Sequence, residues 1–131
     1  MTTDSAPWNP AVLAALADAL EVDVTPIDAD GSRRAGRTVW SIGVGDELYL
    51  RSWKGRGAVW FQDALATGQG ELAVTGGAAS QLVTFKEVDA AAPVQTQISA
   101  TFLTKYAADR YASTMNEQAP LESTLRLIPR P

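Results

Sequence analysis

The run Arg51-Ser52-Trp53-Lys54-Gly55-Arg56-Gly57-Ala58-Val59-Trp60-Phe61 gathers three cations, two glycines and two tryptophans into eleven residues of a chain whose net charge is −4. Residues of these types at a strand exit and helix entry suit the binding of an anion. Unpaired N–H groups at a helix start, glycines that admit close backbone approach and cationic side chains together make a seat for phosphate. Lys54 to Gly57 stand directly before the expected helix Ala58 to Thr67, and Arg51 and Ser52 end the preceding strand within reach of the same turn. Trp53 and Trp60 can shield or stack on a flat ring attached to the phosphate. The run lacks the GKS or GKT of a Walker loop and the GxGxxG of a Rossmann unit. A plainer reading stays open, in which Gly55 and Gly57 only turn the chain and Lys54 and Arg56 are solvated.

Other candidates for chemistry are sparse. The chain has no cysteine, so thiol nucleophiles, disulfides and thiolate metal sites are excluded. It has no histidine either, which removes the commonest general base, the commonest zinc ligand and any Ser-His catalysis. No metal site is expected. The carboxylates are scattered, with no pair placed as a general acid and base. Tyr49, Tyr106, Tyr111 and Lys105 are the remaining proton-transfer candidates, each with a packing or surface role as the alternative. Arg33, Arg34 and Arg37 form a second basic cluster, from which Arg37 can extend the first.

At 131 residues the chain is read as one domain over 1–131, with residues 1–8 flexible. The acidic balance argues against sequence-independent nucleic-acid binding, which needs a basic surface. No apolar run is long enough for a membrane span, so a cytoplasmic protein with no membrane partner is expected.

The elements that must position the basic run follow from periodicity and turn chemistry. Asn9-Pro10 opens a helix carrying Val12, Leu13, Leu16 and Leu20, with Trp8 placed to staple against Leu13. Val22 to Ile27 reads as a strand, and Pro26 suggests that it is an edge. A continuous strand from Arg37 to Val44 turns through Gly45-Asp46 into Glu47 to Trp53. That two-residue loop sets Val44 opposite Glu47, Ile42 opposite Tyr49 and Trp40 opposite Arg51 on one face, where Trp40 and Arg51 can form a cation–π pair. Trp40, Tyr49 and Trp53 are then pocket-wall candidates, with the covering of the sheet or of a subunit interface as the alternative role of Trp40 and Tyr49. The other face, with Leu48 and Leu50, is small and aliphatic, as a curved barrel interior needs. A second hairpin, Glu71 to Thr75 and Gln81 to Val88, precedes a helix opened by Pro93 with Val94, Ile98, Phe102 and Tyr106 at intervals of four. Thr124 to Ile128 is the last strand. Strands and helices do not alternate, so the expected class is α+β, a mostly antiparallel split β-barrel of about six strands with flanking helices.

The strand and turn Leu48 to Gly57, followed by Trp60-Phe61, resemble the FMN-binding split β-barrel superfamily. Within it the chain is similar to a small bacterial family of unknown function, in which Gly55-Arg56-Gly57, Trp60-Phe61, Lys105-Tyr106 and Thr124 to Leu127 have counterparts. The resemblance covers most of the chain after Glu21. A more distant likeness to deazaflavin-dependent nitroreductases implies that Arg51, Ser52, Lys54, Gly55, Arg56 and Gly57 line a cofactor phosphate site buttressed by Trp60. It also implies a homodimer with pockets between subunits. Arg56 departs from the looser small-residue and proline sequence of the nitroreductases, and the missing histidine departs from the haem-binding branch.

Three functions follow as expectations. One is an oxidoreductase that binds FMN or a deazaflavin and acts on a small molecule. A second is a non-catalytic module that binds an anionic metabolite or only itself. The third is a cofactor-independent enzyme for an aromatic small molecule.

Overall fold

The computed structural model describes residues 7–77 and 79–130. Helix α1, Pro10–Asp18, starts on the expected cap: the Asn9 side chain accepts from the N–H groups of Ala11 and Val12, and Pro10 sits where no N–H is needed. The flexible stretch expected over 1–8 falls on residues 1–6, outside the described residues, and on Pro7 and Trp8. Trp8 is buried in the same cluster against which Leu13 packs.

One antiparallel sheet of seven strands follows: β1 Val22–Pro26, β2 Arg37–Val39, β3 Ser41–Val44, β4 Glu47–Arg51, β5 Gln69–Val74, β6 Ser80–Glu87 and β7 Thr124–Pro129. Their spatial order is β2-β1-β5-β6-β7-β4-β3. The two end strands are consecutive in the chain, so the segment through Trp40 nearly closes the sheet into a barrel. Helices α2, Val59–Thr67, α3, Val94–Lys105, and α4, Gln118–Leu121, flank it. This is the α+β split barrel expected from the sequence.

Two details differ from expectation, both because closure is a tertiary demand. The strand expected to run unbroken from Arg37 to Val44 is divided at Trp40, since residues before the corner pair with β1 and residues after it pair with β4. That division makes seven strands instead of about six. Strand β1, expected at an edge because of Pro26, is interior: it pairs with β2 over Val22–Val24 and with β5 along its whole length. Pro26 lies past the end of the β2 ladder, where its missing N–H removes no bond to that strand.

The β3–β4 hairpin has the expected register, Val44 opposite Glu47 and Ile42 opposite Tyr49. Gly45 takes φ +59, the conformation that a two-residue turn requires and a side chain resists. Register then sorts the side chains. Leu48 and Leu50 point into the barrel with Val24, Leu72, Leu125 and Leu127, and Leu16 of α1 and Phe61 of α2 close that core. Ile42 and Tyr49 point outward, under α3, against Ile98, Phe102, Tyr106 and Met115. Each fully buried large apolar side chain contributes about 1.5–3 kcal/mol relative to exposure.

Helix α3 ends on a polar anchor. Lys105 Nζ donates to the carbonyl oxygens of Ala17, Ala19 and Ser41 at 2.6, 2.6 and 2.5 Å, tying the end of α1 to β3. Burial pushes this ammonium down from 10.5 to about 8, with Asp18 opposing the shift. The unfolded chain therefore holds the proton more tightly, and folding bears the cost of a buried charge at all pH values below about 8. That cost is relieved as pH rises from 8 towards 10.5. Relative to Lys105→Gln, wild-type stability in urea denaturation is expected to rise by about 1–2 kcal/mol between about pH 7 and about pH 9.5. A difference independent of pH contradicts the assignment.

Candidate functional site

Strand β4 leaves the sheet at Arg51, and the chain then passes through Ser52-Trp53-Lys54 into the 3-10 turn Gly55–Gly57 before α2 begins. Gly55 has φ +76, and its N–H donates to the Ser52 carbonyl at 2.9 Å. A Cβ there would lie 3.1 Å from that of Ala119, so the turn is both left-handed and closely packed. Glycine is required at this point whatever the turn binds.

Beside the turn lies a cavity of about 290 Å³. Its wall is built from Arg37, Thr38, Val39 and Trp40 at the β2 corner, Arg51 to Lys54 at the β4 exit, Ala58 and Trp60 at the α2 entry, and Tyr111 and Met115. The wall holds three cations and no carboxylate. Arg37 and Lys54, matched by continuing the hairpin register, come to the same cavity, and among the described residues neither side chain has a hydrogen-bond or ion-pair partner.

Ser52 is fully buried, and among the described residues its Oγ has no hydrogen-bond partner. Its backbone is fixed, the N–H donating to Ser123 O at 3.2 Å and the carbonyl accepting from Gly55 N and from Ser123 Oγ. A buried hydroxyl held in place but unpaired costs about 1–3 kcal/mol unless something supplies a partner. Ala58, the N-cap of α2, offers no side-chain cap, so the first-turn N–H groups of the helix are also unpaired by any capping side chain.

Arg51 behaves differently from the solvated cation that its neighbours suggest. It is fully buried, and all five of its N–H groups are used. Nε donates to Thr124 Oγ1 at 3.1 Å. One terminal nitrogen donates to Met115 O at 2.9 Å and Asn116 Oδ1 at 3.0 Å, and the other to Gln95 Oε1 at 2.6 Å and Gln95 O at 3.5 Å. Every acceptor is neutral. Burial pushes the guanidinium down to about 10, which leaves it charged at neutral pH. Arg51 thus adds a positive charge behind the wall without a donor to spare.

The anticipated Trp40–Arg51 cation–π pair is not formed. Arg51 lies 5.5 Å from the Phe102 ring centroid, because the register turns it under α3 with Tyr49. Trp40 stacks instead on Tyr106, centroids 3.9 Å apart and planes 5° apart. Tyr49, expected in the pocket wall, is buried in the outer cluster by the same register. Arg56 faces away from the cavity, donating to Glu87 Oε1 at 2.8 Å and Glu122 O at 2.9 Å, with the Phe61 ring centroid 5.3 Å from its guanidinium. Of the expected phosphate-site residues, then, Lys54 and Trp60 border the cavity, Arg51 and Ser52 lie within its wall with no exposed surface, and Gly55, Arg56 and Gly57 shape the turn beside it. Trp53 also lines it. Tyr111 and Met115 were not anticipated as lining residues.

Two other features bear on the setting. Among the described residues no group of three or more acidic side chains could hold a metal ion, and no helix is long and apolar enough to cross a membrane.

The sequence matches the model of DUF2255, described as an uncharacterised protein conserved in bacteria, over residues 12–127. The chain belongs to this family. No curated protein sequence matches this DUF2255 chain. Among solved structures it is similar to the heme storage protein HutZ of Vibrio cholerae, with a TM-score of 0.67 at 10% identity, covering 96% of this chain and 92% of that one. An F420 reductase gives 0.59 at 9% identity, covering 90% and 92%. A pyridoxamine 5'-phosphate oxidase-related, FMN-binding protein of Nostoc punctiforme gives 0.52 at 15%, covering 95% and 81%. At these identities the likeness establishes the shared split-barrel fold.

Proposed function

We propose that this DUF2255 protein seats FMN or a deazaflavin in the cavity beside the Gly55–Gly57 turn, as an oxidoreductase acting on a small molecule. The observation that carries the proposal is the unpaired, fully buried Ser52 Oγ beside two uncommitted cations, Arg37 and Lys54. These groups suit a phosphate: Lys54 donates to its oxygens, the Ser52 hydroxyl joins it when ligand entry uncovers the side chain, Arg37 adds charge and a planar fork, and Arg51 contributes potential from behind. Trp40, Trp53 and Trp60 supply flat apolar walls for a ring system. Ser52 and Lys54 bind, while Arg51 holds the wall in place. When bound, the cofactor supplies hydride-transfer chemistry, so the chain needs no nucleophile of its own.

The structural relatives support both forms of the ligand, since one is an FMN-binding protein and another an F420 reductase, F420 being a deazaflavin. The absence of histidine and cysteine favours the flavin class over haem, whose iron those side chains commonly hold. A cavity of this size, at the small end of ligand sites, suits a partner copy that completes it. Trp53, Val59 and Tyr111, 51%, 70% and 45% exposed, give an apolar rim for such a homodimer. Native mass spectrometry of the protein mixed with micromolar FMN or deazaflavin tests both parts. The expected species is twice the 13.9 kDa chain carrying bound cofactor. No uptake of either cofactor overturns the proposal.

A further inference from the structure

Tyr111 is not needed for packing through its oxygen. Its ring stands edge-on to Trp53, centroids 6.0 Å apart at 73°, and remains nearly half exposed on the cavity wall. Phenylalanine would serve that contact equally well. The hydroxyl is nevertheless organised. Arg110 donates an N–H to Tyr111 Oη at 2.7 Å, with its guanidinium carbon 4.8 Å from the ring centroid. A phenol oxygen that accepts from a cation still has one proton to give. Among the described residues the Tyr111 hydroxyl donates to nothing.

The backbone that presents this group is held on both sides. Tyr111 N donates to Asp109 Oδ1 at 2.7 Å, and the 3-10 segment Ala112–Asn116 is bound by buried Arg51 through Met115 O and Asn116 Oδ1. The residue that best anchors the cavity wall therefore also sets the position of Tyr111. An acceptor occupied by a cation and a free proton on a fixed ring make a directed hydrogen-bond donor.

We propose that Tyr111 recognises the ring edge of the bound ligand, donating its hydroxyl proton to a carbonyl oxygen or ring nitrogen of a flat heteroaromatic system while Arg110 holds its oxygen. This rests on the reading of the cavity as a seat for an anionic, ring-bearing ligand, and it adds the selection of the ring. Ser52, Lys54 and Arg37 recognise the anion. Tyr111 distinguishes a ring that carries an edge acceptor from one that does not.

The two assignments separate by titration of wild type, Tyr111→Phe and Lys54→Ala with FMN and with inorganic phosphate, followed by calorimetry. Tyr111→Phe is expected to bind FMN about five- to tenfold more weakly, the effect of one hydrogen bond, and to bind inorganic phosphate as wild type does. Lys54→Ala is expected to weaken both. If Tyr111→Phe binds FMN as tightly as wild type while Lys54→Ala binds it poorly, the role of Tyr111 is overturned and the anion seat stands. The role also falls if Tyr111→Phe weakens phosphate as much as FMN, because the residue would then act on the anion. Wild type that binds neither probe overturns the seat and this inference together.

Discussion

Arg51→Ala is expected to lower folding stability by about 3 kcal/mol, the largest effect of any single substitution in the turn region. The change removes a donor to Thr124 Oγ1, Met115 O, Asn116 Oδ1 and both oxygens of Gln95, of which Gln95 Oε1 keeps a second donor in Thr124 Oγ1. Each buried acceptor left unpaired costs about 1–3 kcal/mol, and the emptied volume adds to that. The cost is reduced because the substitution also removes a buried cation with no anionic partner. The comparison that gives this prediction force is Arg56→Ala, five residues away. Arg56 is half exposed, its ion pair with Glu87 is also half exposed, and its loss is expected to cost at most about 1 kcal/mol. Urea denaturation of the two variants checks the ordering. Equal losses would mean that the neutral cage around Arg51 does not hold the fold.

Removing both uncommitted cations is expected to have the largest effect on binding. Hydrogen bonds to charged groups contribute about 1.5–3 kcal/mol each, so Arg37→Ala with Lys54→Ala should weaken FMN by at least about a hundredfold. Each single variant should lose roughly tenfold. Riboflavin, which has the same ring without the phosphate, is the control. Its weaker binding should be nearly unchanged by the double substitution, and both affinities should be read at one salt concentration because screening acts on the charged ligand alone. Among the described residues neither side chain has a hydrogen-bond or ion-pair partner, so stability should be little affected.

What the sequence conveys about this molecule is what short-range chemistry determines. The Gly45-Asp46 loop dictates register, and register dictates which of Leu50 and Tyr49 enters the barrel. The period of four in Ile98 and Phe102 marks the buried stripe of α3. Arg37 could be matched to Lys54 by continuing the same hairpin. The features that escaped the sequence are set by closure and by distant partners. Nothing near Trp40 says that the chain turns there from one edge of the sheet to the other. Arg51 sits beside Lys54 and Arg56 and shares their appearance, yet its five acceptors come from residues 44 to 73 positions away. Tyr111 reaches the cavity only because the segment after α3 folds back under Arg51. The candidate site was therefore legible in its location and its charge. The division of labour among the cations was not.

The proposed phosphate seat consists of the buried Ser52 hydroxyl and the Arg37 and Lys54 side chains, which are uncommitted among the described residues. The most direct measurement is a crystal structure of the protein grown with FMN. The phosphate group is expected within hydrogen-bond distance of Ser52 Oγ and Lys54 Nζ, with the ring against Trp40, Trp53 and Trp60 and the five bonds of Arg51 intact. FMN bound elsewhere, or a phosphate held by Arg56 on the far side of the turn while Ser52 Oγ stays unpaired, would contradict it.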